Sequence, residues 1–145
     1  MQVRDIMNIN AIRILKGSTM SDAAELAAMS NASGLFVVDE DDNFIGVLSE
    51  GDMMKATLPE MSEVMAGGQS LRDSYDLFSE KGGKLGTELI DDHLIPDPIS
   101  LNPEDPVLKA ATTMAVKRMR RLPVVKNGNL VGTVSRGDIC KAVLK

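Results

Sequence analysis

The sequence predicts an α/β (α+β) fold of two β-α-β-β-α repeats packed with pseudo-twofold symmetry. Three observations carry this. Residues 46–58, GVLSEGDMMKATL, reappear as GTVSRGDICKAVL at 132–144, with seven of the thirteen positions identical. Leu35-Phe36-Val37-Val38 faces Leu122-Pro123-Val124-Val125 at an offset of 87, which becomes 86 after a one-residue deletion in the next turn. Each copy spans roughly 55 residues and buries too little apolar surface alone, so the two are expected to pack on each other.

The elements follow in order. Ala11-Ile12-Arg13-Ile14-Leu15 opens the first copy as a β-branched strand, and Ile99-Ser100-Leu101 does so in the second, after Pro98. Ser18-Thr19 and the matching Asp105-Pro106 start helices, because Ser and Asp are favoured N-caps and Pro suits the first turn. Ala23, Ala24, Ala27 and Ala28 give the first helix a small, close-packing face, as Ala110, Ala111, Met114 and Ala115 do in the second. The apolar runs 35–38 and 122–125 are the next strands. They turn at Asp39–Asn43 and Lys126–Asn129, where Asn127-Gly128 is a hairpin signal because both residues tolerate positive φ. A further strand then leads into a helix at each Gly-x-x-Ser-x-Gly-Asp. The domain reading is repeat 1 at 1–58, a connector at 59–88 and repeat 2 at 89–145.

The connector matches neither copy. Gly67-Gly68 and Gly82-Gly83 bracket a short helix, Ser70 to Phe78, with Leu71, Tyr75 and Phe78 on one side and Met61 and Met65 upstream. Packing over the domain or a partner is the expected role; a lid is the alternative.

Composition narrows the class. With 145 residues and 43% apolar content the chain fits one globular domain, and no apolar run approaches the roughly 20 residues of a membrane span. MQVRDIMN is too charged for a secretory signal. The single cysteine, Cys140, excludes an internal disulfide, fits a reducing cytoplasmic compartment, and is expected as a packed thiol. A net charge of −5 argues against nucleic-acid binding. Lys117-Arg118-Met119-Arg120-Arg121 is the one dense basic stretch. At a helix C-terminus it complements the macrodipole; facing a cleft, Arg120 and Arg121 hold an anion. No Gly-x-Ser-x-Gly, Cys/His pair, metal-ligand cluster or phosphate-binding lysine loop is present, so no enzyme is expected.

The repeated motif carries the chemistry. A strand-to-helix turn leaves backbone N–H groups unpaired at the positive end of a helix, where a phosphate is stabilised. Ser49 and Ser135 add hydroxyls, and Asp52 and Asp138 add carboxylates able to accept from sugar hydroxyls. The same residues also read as plain caps of those turns, and His93, aligned with Ile6, reads as a half-buried structural histidine.

The arrangement resembles a tandem pair of cystathionine-β-synthase (CBS) domains, a Bateman module. The resemblance covers 1–58 and 89–145. It rests on Gly46 to Asp52 and Gly132 to Asp138, on Leu-Pro-Val-Val at 122–125 with its variant at 35–38, and on the openings Val3 to Met7 and Ile90 to Leu94. It implies a regulatory module that binds adenosine ligands (AMP, ADP, ATP or S-adenosylmethionine) in clefts between the repeats. It further implies a homodimer; a separate effector protein is expected, and no required cofactor, bound metal or membrane insertion is expected. Carried over by position, one site uses Ser135 and Asp138 with Met7, Ile12, Ala32, Ser33 and Gly34. The other uses Ser49 and Asp52 with Leu94, Ile99, Met119, Arg120 and Arg121. Unlike neighbours (Glu50 against Arg136, Ser33-Gly34 against Arg120-Arg121) predict unequal affinities. A dimerisation scaffold without nucleotide is the alternative.

Overall fold

The computed structural model describes residues 1–58, 71–95 and 98–145, so Met61, Met65 and Gly67-Gly68 of the connector lie outside the described residues. The elements are β1 (Arg13–Leu15), α1 (Met20–Ser30), β2 (Gly34–Val38), β3 (Phe44–Ser49), α2 (Glu50–Thr57), α3 (Leu71–Gly86), α4 (Val107–Lys117), β4 (Arg121–Lys126), β5 (Asn129–Ser135) and α5 (Arg136–Val143). Single 3-10 turns occupy Val3–Asp5 and Ile90–His93.

The chain divides into two compact units that do not follow the order of the repeats. Unit 1 is Met1–Leu15, Phe36–Gly46 and Pro96–Lys145; unit 2 is Lys16–Leu35 and Val47–Ile95. Each unit thus takes its opening segment from one repeat and its body largely from the other.

In unit 1 the antiparallel hairpin β4–β5 pairs Arg121 with Ser135 and Pro123 with Thr133, and Asn127 and Gly128 turn it at φ 52° and 85°. Its inner face meets α4 in a buried cluster of Val3, Leu101, Ala110, Met114, Leu122, Val124 and Val134. The opening turn is stitched to this body by its backbone. Val3 N–H donates to Asp105 O at 2.8 Å, Val107 N–H to Met1 O at 3.2 Å, and Asn8 N–H to Thr133 O at 2.8 Å. β1 runs parallel to β2, and the two hairpin turns join where Phe44 N–H donates to Gly128 O at 2.8 Å. The Arg13 guanidinium completes that junction, reaching Asp42 at 2.6 Å and Leu130 O at 3.1 Å.

Unit 2 repeats the same stitches one offset along. Ile90 N–H donates to Ser18 O at 2.9 Å, Met20 N–H to Glu88 O at 2.8 Å, and Ile95 N–H to Val47 O at 2.9 Å. Val3 and Ile90, the matching plugs, are both fully buried. The body of this unit is α1, α2 and α3.

Several expectations need correction. The N-caps of α1 and α4 are Thr19 and Pro106, not Ser18 and Asp105; the Asp105 carboxylate instead accepts from Asn102 N–H at 2.8 Å. The second copy's first strand shrinks to one bridge between Leu101 and Val124. Pro98 and Pro103 flank it, and a proline offers no N–H to extend a ladder. The connector helix does not stop at Gly82-Gly83 but runs 16 residues to Gly86, because packing on α1 and α2 outweighs the roughly 1 kcal/mol cost of each glycine. Of the basic stretch only Lys117 is helical; Arg118 leaves the helix in the left-handed region and Arg121 begins β4. Cys140 is exposed rather than packed, since α5 turns Ile139 inward instead.

Candidate functional site

Both motif turns are built as their sequence requires. β3 and β5 end at Ser49 and Ser135, whose backbones stay extended and whose side chains become N-caps of α2 and α5. Ser135 Oγ accepts from Asp138 N–H at 3.1 Å, and the Asp138 carboxylate accepts from Ser135 N–H at 2.9 Å, a closed capping box. Ser49 Oγ accepts from Asp52 N–H at 3.3 Å, but among the described residues the Asp52 carboxylate has no bonded partner. Asp138 is half-buried and Asp52 exposed. The two copies therefore present the same acid in different states of engagement.

Neighbouring backbone fixes the turn further. Arg136 N–H donates to Arg120 O at 3.1 Å and its Nε to Met119 O at 2.9 Å, while Glu50 N–H donates to Ser33 O at 3.0 Å. The residue ahead of β2 or β4 is thus tied to the motif of its own copy. Arg120 and Arg121 are exposed, and Ile99 and Met119 pack on the unit 1 core. Ile12 lies in unit 1, 38% exposed; Ala32, Ser33, Gly34 and Leu94 lie in unit 2.

Met7 does reach the second motif. A Cβ on Gly132 would lie 3.0 Å from both Met7 Sδ and Asn8 O, so any side chain there would force these neighbours to give. Beside it, Thr133 Oγ1 is buried without a hydrogen-bond partner among the described residues.

Asp138 lines a cavity of about 520 Å³ with Met1, Asp5, Ile6, Lys141, Ala142 and Lys145, a size within the range of small-molecule sites. Asp5, Ile6, Lys141 and Lys145 were not singled out from sequence. Lys141 and Ala142, three and four beyond Asp138, share its helical face, whereas Asp5 and Ile6 carry no local signal and Lys145 lies past the end of α5. A second, apolar cavity of about 440 Å³ lies between α4 and α5, lined by Met1, Val107, Leu108, Ala111, Ile139 and Val143. Among the described residues no group of acids, histidine and cysteine could hold a metal, and no helix is long and apolar enough to cross a membrane.

Comparison with known proteins agrees with this architecture. The structure of CBSX2 from Arabidopsis thaliana superposes with a TM-score of 0.74 at 27% identity, covering 99% of this chain and 94% of that one. CBSX2 in complex with AMP gives 0.71 at 25% identity, covering 99% and 96%. Among curated sequences, an uncharacterized protein of Methanocaldococcus jannaschii is 28% identical over 139 residues, 96% of this chain and 41% of its own length. The chloroplastic CBSX1 of Arabidopsis thaliana is 28% identical over 141 residues, 88% of this chain and 57% of its own. The chain thus spans about half the length of these curated relatives. The CBS domain family model matches residues 3–58 and 90–145, the two halves that carry the duplicated motif. The chain belongs to the CBS domain family, as a tandem pair of its repeats.

Proposed function

We propose that this CBS pair is a regulatory module that binds an adenosine nucleotide at its Ser-x-Gly-Asp turns and passes the occupancy to a partner protein. The observation that carries this is the second turn. There Asp138, held in a closed capping box with Ser135, lines a nucleotide-sized cavity with Lys141 and Lys145. The AMP complex of the similar CBSX2 supports the ligand class. Ligand acts by favouring one arrangement over another, which requires unequal affinity for the two. The module is read as non-catalytic and cytoplasmic. The residues expected alongside each motif from the other repeat belong to this proposal and are tested with it.

Isothermal titration with AMP, ADP, ATP and S-adenosylmethionine tests the reading. Saturable binding that is lost in stages in Asp138→Ala and Asp52→Ala is the expected result. Absence of heat and of any thermal shift with all four compounds would sink it.

One observation favours the scaffold alternative. The apolar cavity between α4 and α5 is edged by exposed Leu108 and Val143, at 76% and 59%, with Leu144 at 77% close by in sequence. Met54 and Leu58 are exposed at 60% and 48% in the first copy. A homodimer through these helices is the expected state. Light scattering on the wild type and on Leu108→Glu/Val143→Glu tests it.

A further inference from the structure

The helical layers of the two units carry related grooves, one covered and one open. In unit 2, α3 packs on both α1 and α2. A Cβ on Gly86 would lie 3.7 Å from Ser21 Cβ, and Lys81 Nζ donates to Leu58 O at 3.4 Å, so α3 reaches both sides of the α1–α2 seam. The matching residues of unit 1 are Leu108 and Leu144. They are 76% and 77% exposed, and among the described residues unit 1 holds no third α-helix to lie across them. Between α4 and α5 the apolar cavity of about 440 Å³ stays open, with Ala111, Ile139 and Val143 on its walls. The seam chemistry is inverted: Leu108 and Val143 of the open groove correspond to Ser21 and Thr57 of the covered one. Apolar side chains gathered on an open groove mark an interaction surface.

Charge identifies what covers it. α4, α5 and the residues that follow carry Lys109, Lys117, Arg136, Lys141 and Lys145 against Asp138, and the five cations are exposed. α1 and α2 carry Asp22, Glu25, Glu50 and Asp52 against Lys55, all exposed. Two unit 1 layers therefore repel each other, whereas a unit 1 layer attracts a unit 2 layer. On that acidic layer α3 leaves an apolar pair uncovered. Tyr75 and Phe78 are 66% and 39% exposed, with ring centroids 6.5 Å apart, and exposed Asp76 and Glu80 stand beside them in sequence. One chain thus carries a basic apolar groove and an acidic helix edge with two aromatic anchors.

We propose that the open α4–α5 groove of unit 1 receives the Tyr75–Phe78 edge of α3 from a second copy of this chain. The mode is a helix laid into an apolar groove, anchored by aromatic side chains and rimmed by opposite charges. It rests on the self-association read above and names the two unlike surfaces that meet.

The test is analytical ultracentrifugation of the full chain, as wild type, as Tyr75→Lys/Phe78→Lys, as Leu108→Glu/Val143→Glu, and as an equimolar mixture of the two variants. All four side chains are exposed, so each variant is expected to keep the wild-type circular dichroism spectrum. Each variant alone should self-associate about tenfold or more weakly than the wild type. The mixture should recover association, because one member keeps its α3 edge and the other its groove. Tyr75→Ala/Phe78→Ala, which adds no charge and suits a helix, should also weaken association by about tenfold, and wild-type association should fall as salt rises. Wild-type association in both Tyr75/Phe78 variants, or no recovery in the mixture, would place like grooves together and overturn the inference while leaving the homodimer intact. A monomeric wild type would overturn both.

Discussion

Units 1 and 2 share a backbone frame and differ in what they hang on it. Val3 bonds Asp105 as Ile90 bonds Ser18, and Met1 receives Val107 as Glu88 receives Met20. Yet the Ser135–Asp138 box is closed where the Ser49–Asp52 turn is open, and a Thr133 hydroxyl without a partner among the described residues stands where the other copy has Val47. The difference teaches that duplication preserved the main-chain joints while the side chains of the motif turns diverged.

The strongest way to break the frame is at its tightest joint. Gly132→Ala would set a Cβ 3.0 Å from Asn8 O, a backbone atom that cannot swing aside, and should destabilise by about 1–3 kcal/mol in urea unfolding. Gly34→Ala meets only ordinary contacts, the nearest at 3.6 Å, and should cost less than about 1 kcal/mol. Equal costs would show that the Met7–Gly132 approach relaxes freely.

The capping difference comes next. Asp138→Ala removes the reciprocal bond to Ser135 N–H and should cost about 1 kcal/mol, whereas Asp52→Ala removes an unbonded carboxylate and should cost about half that or less. Thermal melts without ligand compare the two, and identical losses would mean the closed box adds nothing in solution.

The last expected effect has the opposite sign. Thr133→Val replaces a buried unpaired hydroxyl by the other copy's residue and should stabilise by about 1 kcal/mol, roughly 2–4 °C in Tm. Val47→Thr should be neutral or destabilising, since Val47 is only half-buried. A lower Tm for Thr133→Val would point to a partner for that hydroxyl.

Much of this was legible in the sequence because its signals are local. The Asn127-Gly128 turn has both residues at positive φ, and each motif serine caps its helix. The exchange of openings was not legible in the residues themselves, since nothing within Val3 to Met7 says whether it docks beside Ser18 or Asp105, eighty-seven residues apart; only the family resemblance set Met7 with the second motif and Leu94 with the first. The same holds for Lys141 and Lys145, which matter only once the opening turn lies across from them. Cys140 was misread because its alignment with Met54 suggested burial, yet Met54 is itself 60% exposed. The helix through Gly82-Gly83 shows tertiary packing overriding propensity.

The crossed openings also set a schedule for synthesis. As the chain emerges, Val3 to Asp5 cannot reach their partners until Pro103 and Asp105 have been made, and α1 waits for Glu88 and Ile90. Unit 2 cannot close before Ile95 is made, and unit 1 must wait for its last segment beyond that, so both depend on long loop closures. A nascent chain halted near residue 60 should therefore be protease-sensitive throughout, although it carries a whole repeat.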